Sequence, residues 1–427
     1  MKSVAARDEK AERGGRGEAP RDAEAWPRVP LREACRQDRQ IVEPGSREAD
    51  ALPYLSLEHV ESQTGRILKQ TDTPVEDEGK STTFRFDTRH VLYGKLRPYL
   101  NKVALPDFAG RCTTEMIPLL PADGVDRQFL AWLLRREETI DWALRQNTGA
   151  RMPRADMDSL LTLSIPLPPL AEQERIAGRL TEQLAAVERA RGAAQSRLAA
   201  AESLPAAYLR EVFGPVAPFS AAPLMPKEGT RPGWRWHLLT DIARLATGHT
   251  PSRREPTWWG GDIQWLQLPD IRAVDGRRVT KTIEQTNPLG IANSSSVLLP
   301  AGTVCMSRTA SVGFVTIMGR EMATSQDFVN WVCGPDLDPD FLMYLILRCR
   351  REIRDLGSGA THQSIYFETV ENFSVCVPSV ADQRRIAADL ADRLAGAERL
   401  AEGIRAELAA IEALPAALLR EAFQGSN

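Results

Sequence analysis

A chain of 427 residues is longer than one core normally organises, so two or three domains are expected. With 43 % hydrophobic and 26 % charged residues it has the mix of a folded, water-soluble protein, and no run of about eighteen apolar residues offers a membrane span. A formal net charge of −3 excludes a uniformly basic nucleic-acid binder, so any positive surface for DNA must be local or supplied by partners.

The elements follow in chain order. Residues 1–23 carry mixed charge, Gly and Ala without an apolar stretch, which is the pattern of a disordered tail and not of a signal peptide. Residues 24–163 form a mixed region. Val91-Leu-Tyr and Met116-Ile-Pro-Leu-Leu read as strands, and Gln128–Arg145, with Phe129, Leu130, Trp132, Leu133 and Leu134, reads as a helix. The stretch from Tyr93 to Lys102 gathers Lys95, Arg97, Tyr99, Asn101 and Lys102, and Arg145, Arg151 and Arg154 follow. Lys and Arg suit phosphates, and Arg, Asn and Gln suit base edges. Candidate DNA contacts here are Lys95, Arg97, Tyr99, Lys102, Arg151 and Arg154.

In the next segment, 164–214, Pro166, Pro168 and Pro169 keep the chain extended. Ile176, Leu180, Leu184, Val187, Ala194, Leu198 and Ala201 then recur at helical spacing. This predicts a helix of about thirty residues, roughly 45 Å long, which breaks at Pro205 and resumes as a short helix over Ala206–Phe213. Residues 215–232 read as a linker. A second mixed region covers 233–373, with strands at Val297-Leu-Leu, Thr303-Val-Cys-Met and Phe314-Val-Thr-Ile-Met and a helix over Asp340–Leu356. Its candidate DNA contacts are Arg253, Arg254, Ser307, Arg308, Gln326, Thr361, His362 and Gln363. Trp258-Trp259 reads as a packed corner and not as a base-stacking platform. The last segment, 374–424, has Ile386, Leu390, Leu394, Ala397, Ile404, Leu408 and Ile411 at helical spacing, and Pro415 before Ala416–Phe423.

The two helical segments are copies. Ser164–Phe213 aligns with Ser374–Phe423 without a gap, with roughly half the positions identical. Fainter likeness joins Trp26-Pro-Arg-Val to Trp234-Arg-Trp-His, Tyr54-Leu-Ser-Leu to Trp265-Leu-Gln-Leu, and Gly149-Ala150 to Gly359-Ala360. Flanks that agree around interiors that differ fit duplication followed by change of a ligand-reading surface. The fold class is α+β: two α+β domains separated by two long helices that form an antiparallel coiled coil, as a tandem pseudo-repeat. The candidate seam is Ile176, Leu180, Leu184, Val187 and Leu198 with Ile386, Leu390, Leu394, Ile404 and Leu408. The rival arrangement packs each helix on its own domain.

Catalytic motifs do not emerge. Asn287-Pro-Leu-Gly lacks the second proline and the aromatic residue of an amino-methyltransferase loop. Gly79-Lys80-Ser81 ends a phosphate-loop string, but Pro74 stands where its first glycine belongs. Neither H-E-x-x-H nor G-x-S-x-G occurs. Asp336 and Asp338 sit in a Pro/Gly turn. The six cysteines include no C-x-x-C pair and have no histidines gathered beside them, so neither a metal site nor a disulfide framework is expected. They read as small buried hydrophobes of a reducing cytoplasm.

In both copies a Gly-Ala pair leads to a short strand, at least one proline, and then Gln-x-x-Ile-Ala on a long helix. Here these are Gly149-Ala150, Ser164-Ile-Pro-Leu-Pro-Pro-Leu170 and Glu172-Gln-Glu-Arg-Ile-Ala177, with a drifted copy at Val377-Pro-Ser-Val380 and Asp382-Gln-Arg-Arg-Ile-Ala387. With Tyr93-Gly-Lys-Leu-Arg-Pro-Tyr99, Thr250-Pro-Ser252, Pro300-Ala-Gly-Thr-Val304 and Ser307-Arg308, the chain resembles the specificity subunit of type I restriction–modification systems. The resemblance covers Trp26 to Phe423. It implies two target-recognition domains that read the halves of a bipartite, asymmetric site on double-stranded DNA, and helices that hold them apart and dock two methyltransferase subunits. The chain itself would be non-catalytic and carry no cofactor. S-adenosylmethionine for adenine methylation would sit on the partners, as would ATP and magnesium on restriction and translocase subunits where these exist. Competing readings are a coiled-coil protein-binding scaffold, which predicts no salt-dependent DNA affinity, and a fused restriction–methylation enzyme, which predicts S-adenosylmethionine binding by the isolated chain.

Overall fold

Short apolar runs punctuated by Gly, Pro and Asp can form only short strands, and the computed structural model of the chain is built from them. It describes residues 26–68, 81–145, 147–148, 152–357 and 363–424. The expected tail, Gly79-Lys80, both Gly-Ala pairs and the candidates Arg151, Thr361 and His362 lie outside the described residues. The chain divides into two compact units: residues up to Ala193 together with those from Glu407 onward, and Ala194–Ala406. Each unit therefore holds one α+β domain and portions of both long helices.

In the first unit one four-stranded sheet has the order Cys35–Gln37, Met116–Pro121, Val91–Gly94, Val103–Ala104. Tyr93 lies opposite Ile117 in antiparallel register. A second sheet runs Ile41–Val42, Thr83–Phe86, Gly110–Thr113, Tyr54–Leu55. The expected helix over Gln128–Arg145 is two helices, Arg127–Leu134 and Glu137–Arg145. The chain turns at Arg135-Arg136, where the Thr139 hydroxyl donates to the Leu133 carbonyl at 2.9 Å and so satisfies a group freed by the break.

The second unit repeats the plan with a larger sheet, ordered Ala243–Thr247, Phe328–Cys333, Val304–Ser307, Val315–Met318, Arg278–Val279. Met306 faces Val329, as Tyr93 faces Ile117 in the first unit. The expected helix over Asp340–Leu356 is also divided, into Pro339–Arg348 and Arg350–Arg354. Val297-Leu-Leu forms no strand; beside the serines and Pro300, only Leu299 pairs, with Met322. The segment expected to be a linker supplies Phe219–Ser220, which pairs with Ser374–Val377. All six cysteines are unpaired thiols, five buried and Cys333 half-buried, and burial pushes Cys35 and Cys333 up to about 12.

The long helices are Leu170–Phe213 and Val380–Gln424, 44 and 45 residues, and both run through the prolines expected to break them. A proline inside a helix costs about 3 kcal/mol. Beyond Pro205, however, Leu209 and Phe213 are buried in the second domain's core, and each such burial stabilises by roughly 1.5–3 kcal/mol. Tertiary packing therefore overrides the local preference. Phe213 lies 5.3 Å from Phe341, ring centre to ring centre. Beyond Pro415, Phe423 lies 5.4 Å from Phe129 in the same way.

Both proposed helix arrangements hold, in different turns. Ile176 and Leu180, with Leu184 at their edge, share one core with the first domain and with Leu418, Leu419 and Phe423. Leu390, with Ile386 and Leu394, shares another with the second domain, Leu209 and Phe213. Leu198, Ala201, Ala401 and Ile404 form a helix–helix seam inside the second unit. Val187 is buried and Leu408 half-buried. Ion pairs give the direction: Glu202 meets Arg405 at 2.7 Å and Glu211 meets Arg393 at 2.6 Å, so one helix descends as the other rises.

A candidate nucleic-acid interface

Each domain builds its polar loop cluster with the same backbone device. In the first, the loop after Val91–Gly94 is held by three hydrogen bonds. Lys95 N–H donates to the Glu115 carbonyl (2.9 Å), Ala155 N–H donates to the Lys95 carbonyl (2.9 Å), and Arg97 N–H donates to the Pro153 carbonyl (2.7 Å). In the second, Arg308 N–H donates to Asp327 (2.8 Å), Ile365 N–H to Arg308 (2.9 Å), and Ala310 N–H to Gln363 (3.1 Å). Position by position, Lys95 corresponds to Arg308 and Arg97 to Ala310. The clamp brings the loop beside the strand end to the segment leading into the long helix, and so gathers residues far apart in sequence.

Backbone strain collects at the same place. Among the described residues, the non-glycine positions with positive φ are Gln63 (67°), Arg97 (52°), Asn101 (51°) and Ala310 (54°). Arg97 and Ala310 occupy the clamp itself. The Gln63 side-chain amide donates to the Tyr99 carbonyl at 3.0 Å and that of Asn101 to the Arg135 carbonyl at 3.1 Å, which fixes the same loop. Such conformations persist where the surroundings over-determine them, and they cluster at functional sites.

The candidate side chains divide into outward and inward groups. Arg97 is exposed, Tyr99 is 46 % exposed and Lys95 is half-buried on the first loop. Arg154 joins them and pairs with Glu115 at 3.0 Å. Lys102 turns inward: its ammonium donates to the Leu57 carbonyl at 2.6 Å, and burial lowers its pKa. In the second domain Arg254, Gln326 and Gln363 are exposed. Ser307 is fully buried and its hydroxyl donates to the Ser311 carbonyl, so it supports the loop and does not face a ligand. Arg308 also turns inward, over the Phe367 ring at 4.7 Å and onto the Ile365 carbonyl at 3.2 Å; burial holds its guanidinium below the ordinary arginine range. The Thr250 hydroxyl donates to Gln326 Oε1 at 2.5 Å and the Thr309 hydroxyl to Asp327 Oδ1 at 2.6 Å. These bonds join the loops at 250, 309, 326 and 363 into one surface.

The repeated Gln-x-x-Ile-Ala marks a pair of glutamines whose role the sequence alone did not reveal. Gln173 accepts from Asp126 N–H (2.9 Å) and donates to the carbonyls of Pro168 (2.8 Å) and Gly124 (3.2 Å). Gln383 accepts from Asp338 N–H (2.8 Å) and donates to Pro378 (3.0 Å) and Asp336 (3.1 Å). Both are almost wholly buried, and Asp126 and Asp338 cap the following helices. The available signal was a glutamine unchanged in both copies beside residues that had drifted.

The model of the type I restriction modification DNA specificity domain matches the chain twice, over residues 53–192 and 233–410. The chain belongs to this specificity family. Curated members similar to it include the EcoDI specificity subunit of Escherichia coli, 29 % identical over 193 residues, which cover 44 % of this chain and 43 % of that protein. The HindI specificity subunit of Haemophilus influenzae is 24 % identical over 214 residues, covering 49 % and 44 %. The MjaIX specificity subunit of Methanocaldococcus jannaschii is 25 % identical over 156 residues, 36 % of each chain. The chain thus spans less than half the length of the curated relatives it matches. Two solved structures share the fold. A chain from a study of complex assembly and conformational transition of the type I R-M system superposes with TM-score 0.73 at 21 % identity, covering 95 % of this chain and 99 % of that one. The HsdS subunit from Thermoanaerobacter tengcongensis does so with TM-score 0.63 at 20 % identity, covering 95 % and 98 %.

Proposed function

We propose that this chain is the DNA-recognition subunit of a type I restriction–modification complex working in the cytoplasm. Each domain reads one half of a bipartite, asymmetric duplex site. The long helices set the distance between the halves and carry two adenine methyltransferase subunits, and restriction subunits join where they exist. Catalysis and its cofactors belong to those partners. The observation that carries this reading is the duplicated three-bond clamp, which presents a different set of polar side chains in each copy. Two readers on one spacer bind one duplex with a gain in effective concentration, but only at a matching separation.

The test is to co-express the chain with its methyltransferase partner and map methylated adenines by single-molecule sequencing. Two short sequence blocks around a fixed gap are expected. A stably assembled complex that adds no methylation would overturn the reading in favour of a protein-binding scaffold.

The clamp also makes a residue-level prediction. Arg97→Gly removes an exposed cation while relieving a left-handed backbone, so stability should stay within about 1 kcal/mol of the parent or rise. Binding to the first half-site should weaken, and the dependence of log K on log salt should flatten by about 0.9 if one phosphate contact is lost. Ala310→Gly, at the equivalent position without a functional side chain, should leave binding unchanged. Equal affinities for the parent and Arg97→Gly across salt concentrations would remove Arg97 from the contact surface.

A further inference from the structure

The loop His249–Arg254 precedes the turn at Pro256–Trp258 and the strand Trp259–Leu266. It carries two adjacent arginines in different situations. The terminal nitrogens of Arg253 donate to both carboxylate oxygens of Glu284, at 2.7 and 2.6 Å. Its guanidinium carbon lies 3.9 Å from the centre of the Trp259 ring and 5.0 Å from that of Trp265. The two indoles meet edge to face at 4.9 Å. Each indole N–H donates back into the loop, Trp259 to the Ser252 carbonyl at 3.1 Å and Trp265 to the His249 carbonyl at 3.3 Å. The Ser296 hydroxyl donates to the same His249 carbonyl at 2.7 Å. Arg254 is exposed, and among the described residues its side chain enters no ion pair; its backbone N–H donates to the Ser252 hydroxyl at 3.3 Å.

Arg253 is itself half exposed, but both of its terminal nitrogens are turned to one carboxylate and one face of its guanidinium lies over Trp259, so less of it is free for a phosphate than of Arg254. The same contact occupies one face of the Trp259 ring, which is then not open to a stacked base. What the cluster does is fix backbone. Two indole donors and a serine hold the loop's carbonyls, and Arg253 with Glu284 pins the indoles. We propose that Arg253 is a positioning residue of the second reading surface, and that the DNA contact of this loop belongs to Arg254. The proposal rests on the recognition function given above.

Glu284 separates the two roles. Its carboxylate is negative and partly exposed, so by charge alone Glu284→Gln should tighten DNA binding, and a phosphate-binding Arg253 released from its partner should tighten it further. A positioning role predicts the reverse. The experiment uses the complex assembled with its methyltransferase subunits, measuring affinity for the mapped site over a salt series and methylation of each half. Glu284→Gln and Arg253→Ala should each weaken binding on the order of tenfold, the double variant no more than either alone, with the salt slope unchanged and first-half recognition retained. Arg253→Lys should fail to rescue, because an ammonium keeps the charge but neither the fork nor the stack. Arg254→Ala should flatten the slope by about 0.9 and add its loss to that of Arg253→Ala. Tighter binding by Glu284→Gln, rescue by Arg253→Lys, or a flatter slope in Arg253→Ala would overturn the assignment. Loss of the first half as well in Arg253→Ala would refute a role confined to this loop. If the parent complex itself lacks salt-dependent, sequence-specific binding, the recognition function has failed and this assignment falls with it.

Discussion

Replacing Gln173 with Leu should lower the stability of the first unit by about 2–4 kcal/mol, and Gln383→Leu should do the same to the second. Each buried glutamine satisfies three backbone groups, one amide hydrogen and two carbonyls, of which Pro168 is buried and the others lie in half-buried or exposed residues. A leucine of similar size leaves those groups without their partner, at about 1–3 kcal/mol for each that water does not reach and less for the carbonyls of the exposed Gly124 and Asp336. The backbone groups also join the start of a long helix to the capped end of the neighbouring helix, so their loss loosens the angle at which the long helix leaves its domain. Gln173→Glu tests the account more finely. It keeps the acceptor for Asp126 N–H but sets a carboxylate oxygen against two carbonyls, so it should be as damaging as leucine or worse. Glu174→Leu, one residue on and exposed, should change stability by less than about 0.5 kcal/mol. Urea titrations of the four variants decide the matter; a Gln173→Leu midpoint equal to the parent's would refute it.

The glutamines also mark the limit of what was legible in the sequence. Repetition showed which segments are equivalent, and helical spacing located both long helices, because those signals depend only on which residues are apolar and where. Strands at Val91-Leu-Tyr and Met116-Ile-Pro-Leu-Leu were legible for the same reason. The continuity of the helices through Pro205 and Pro415 was not, since it depends on the cores that receive Leu209, Phe213 and Phe423. The breaks at Arg135-Arg136 and Cys349 were hidden because apolar residues continue on both sides of them. In the loops, composition announced polar clusters but could not distinguish Arg97, which turns out, from Lys102 and Arg308, which turn in to backbone carbonyls. That choice is made by what each side chain meets, the Leu57 carbonyl for Lys102 and the Ile365 carbonyl and Phe367 ring for Arg308, and those partners are distant in sequence.

Shortening the spacer should move the gap in the recognised site. Deleting one heptad from each helix, residues 195–201 and the equivalent 405–411, removes about 10.5 Å of rise. The half-sites should then lie about three base pairs closer, at 3.4 Å per base pair. Seven residues are nearly two turns, so the apolar faces stay in register, whereas removing three or five would turn the seam towards solvent. The deletion forfeits the exposed Glu202–Arg405 pair, worth about 0–1 kcal/mol, and Leu198 and Ala201 of the central seam, while the cores that hold Ile176 with Phe423 and Leu390 with Phe213 keep the helices joined. Three base pairs also carry about 100° of duplex twist, at 10–10.5 base pairs per turn. The shortened helices do not supply that rotation, so the DNA or the loops must absorb it and methylation should slow even where the new spacing fits. A methylome of cells carrying the doubly shortened chain should therefore show the two parental sequence blocks around a shorter gap, at reduced occupancy. Deleting the heptad from one helix alone shifts Glu211 away from Arg393 and slides the helices past one another, and that variant should lose assembly instead of changing its gap. Methylation by the doubly shortened chain at the parental site with the parental gap would mean that the helices are not the ruler, and that the spacing is set by the partners.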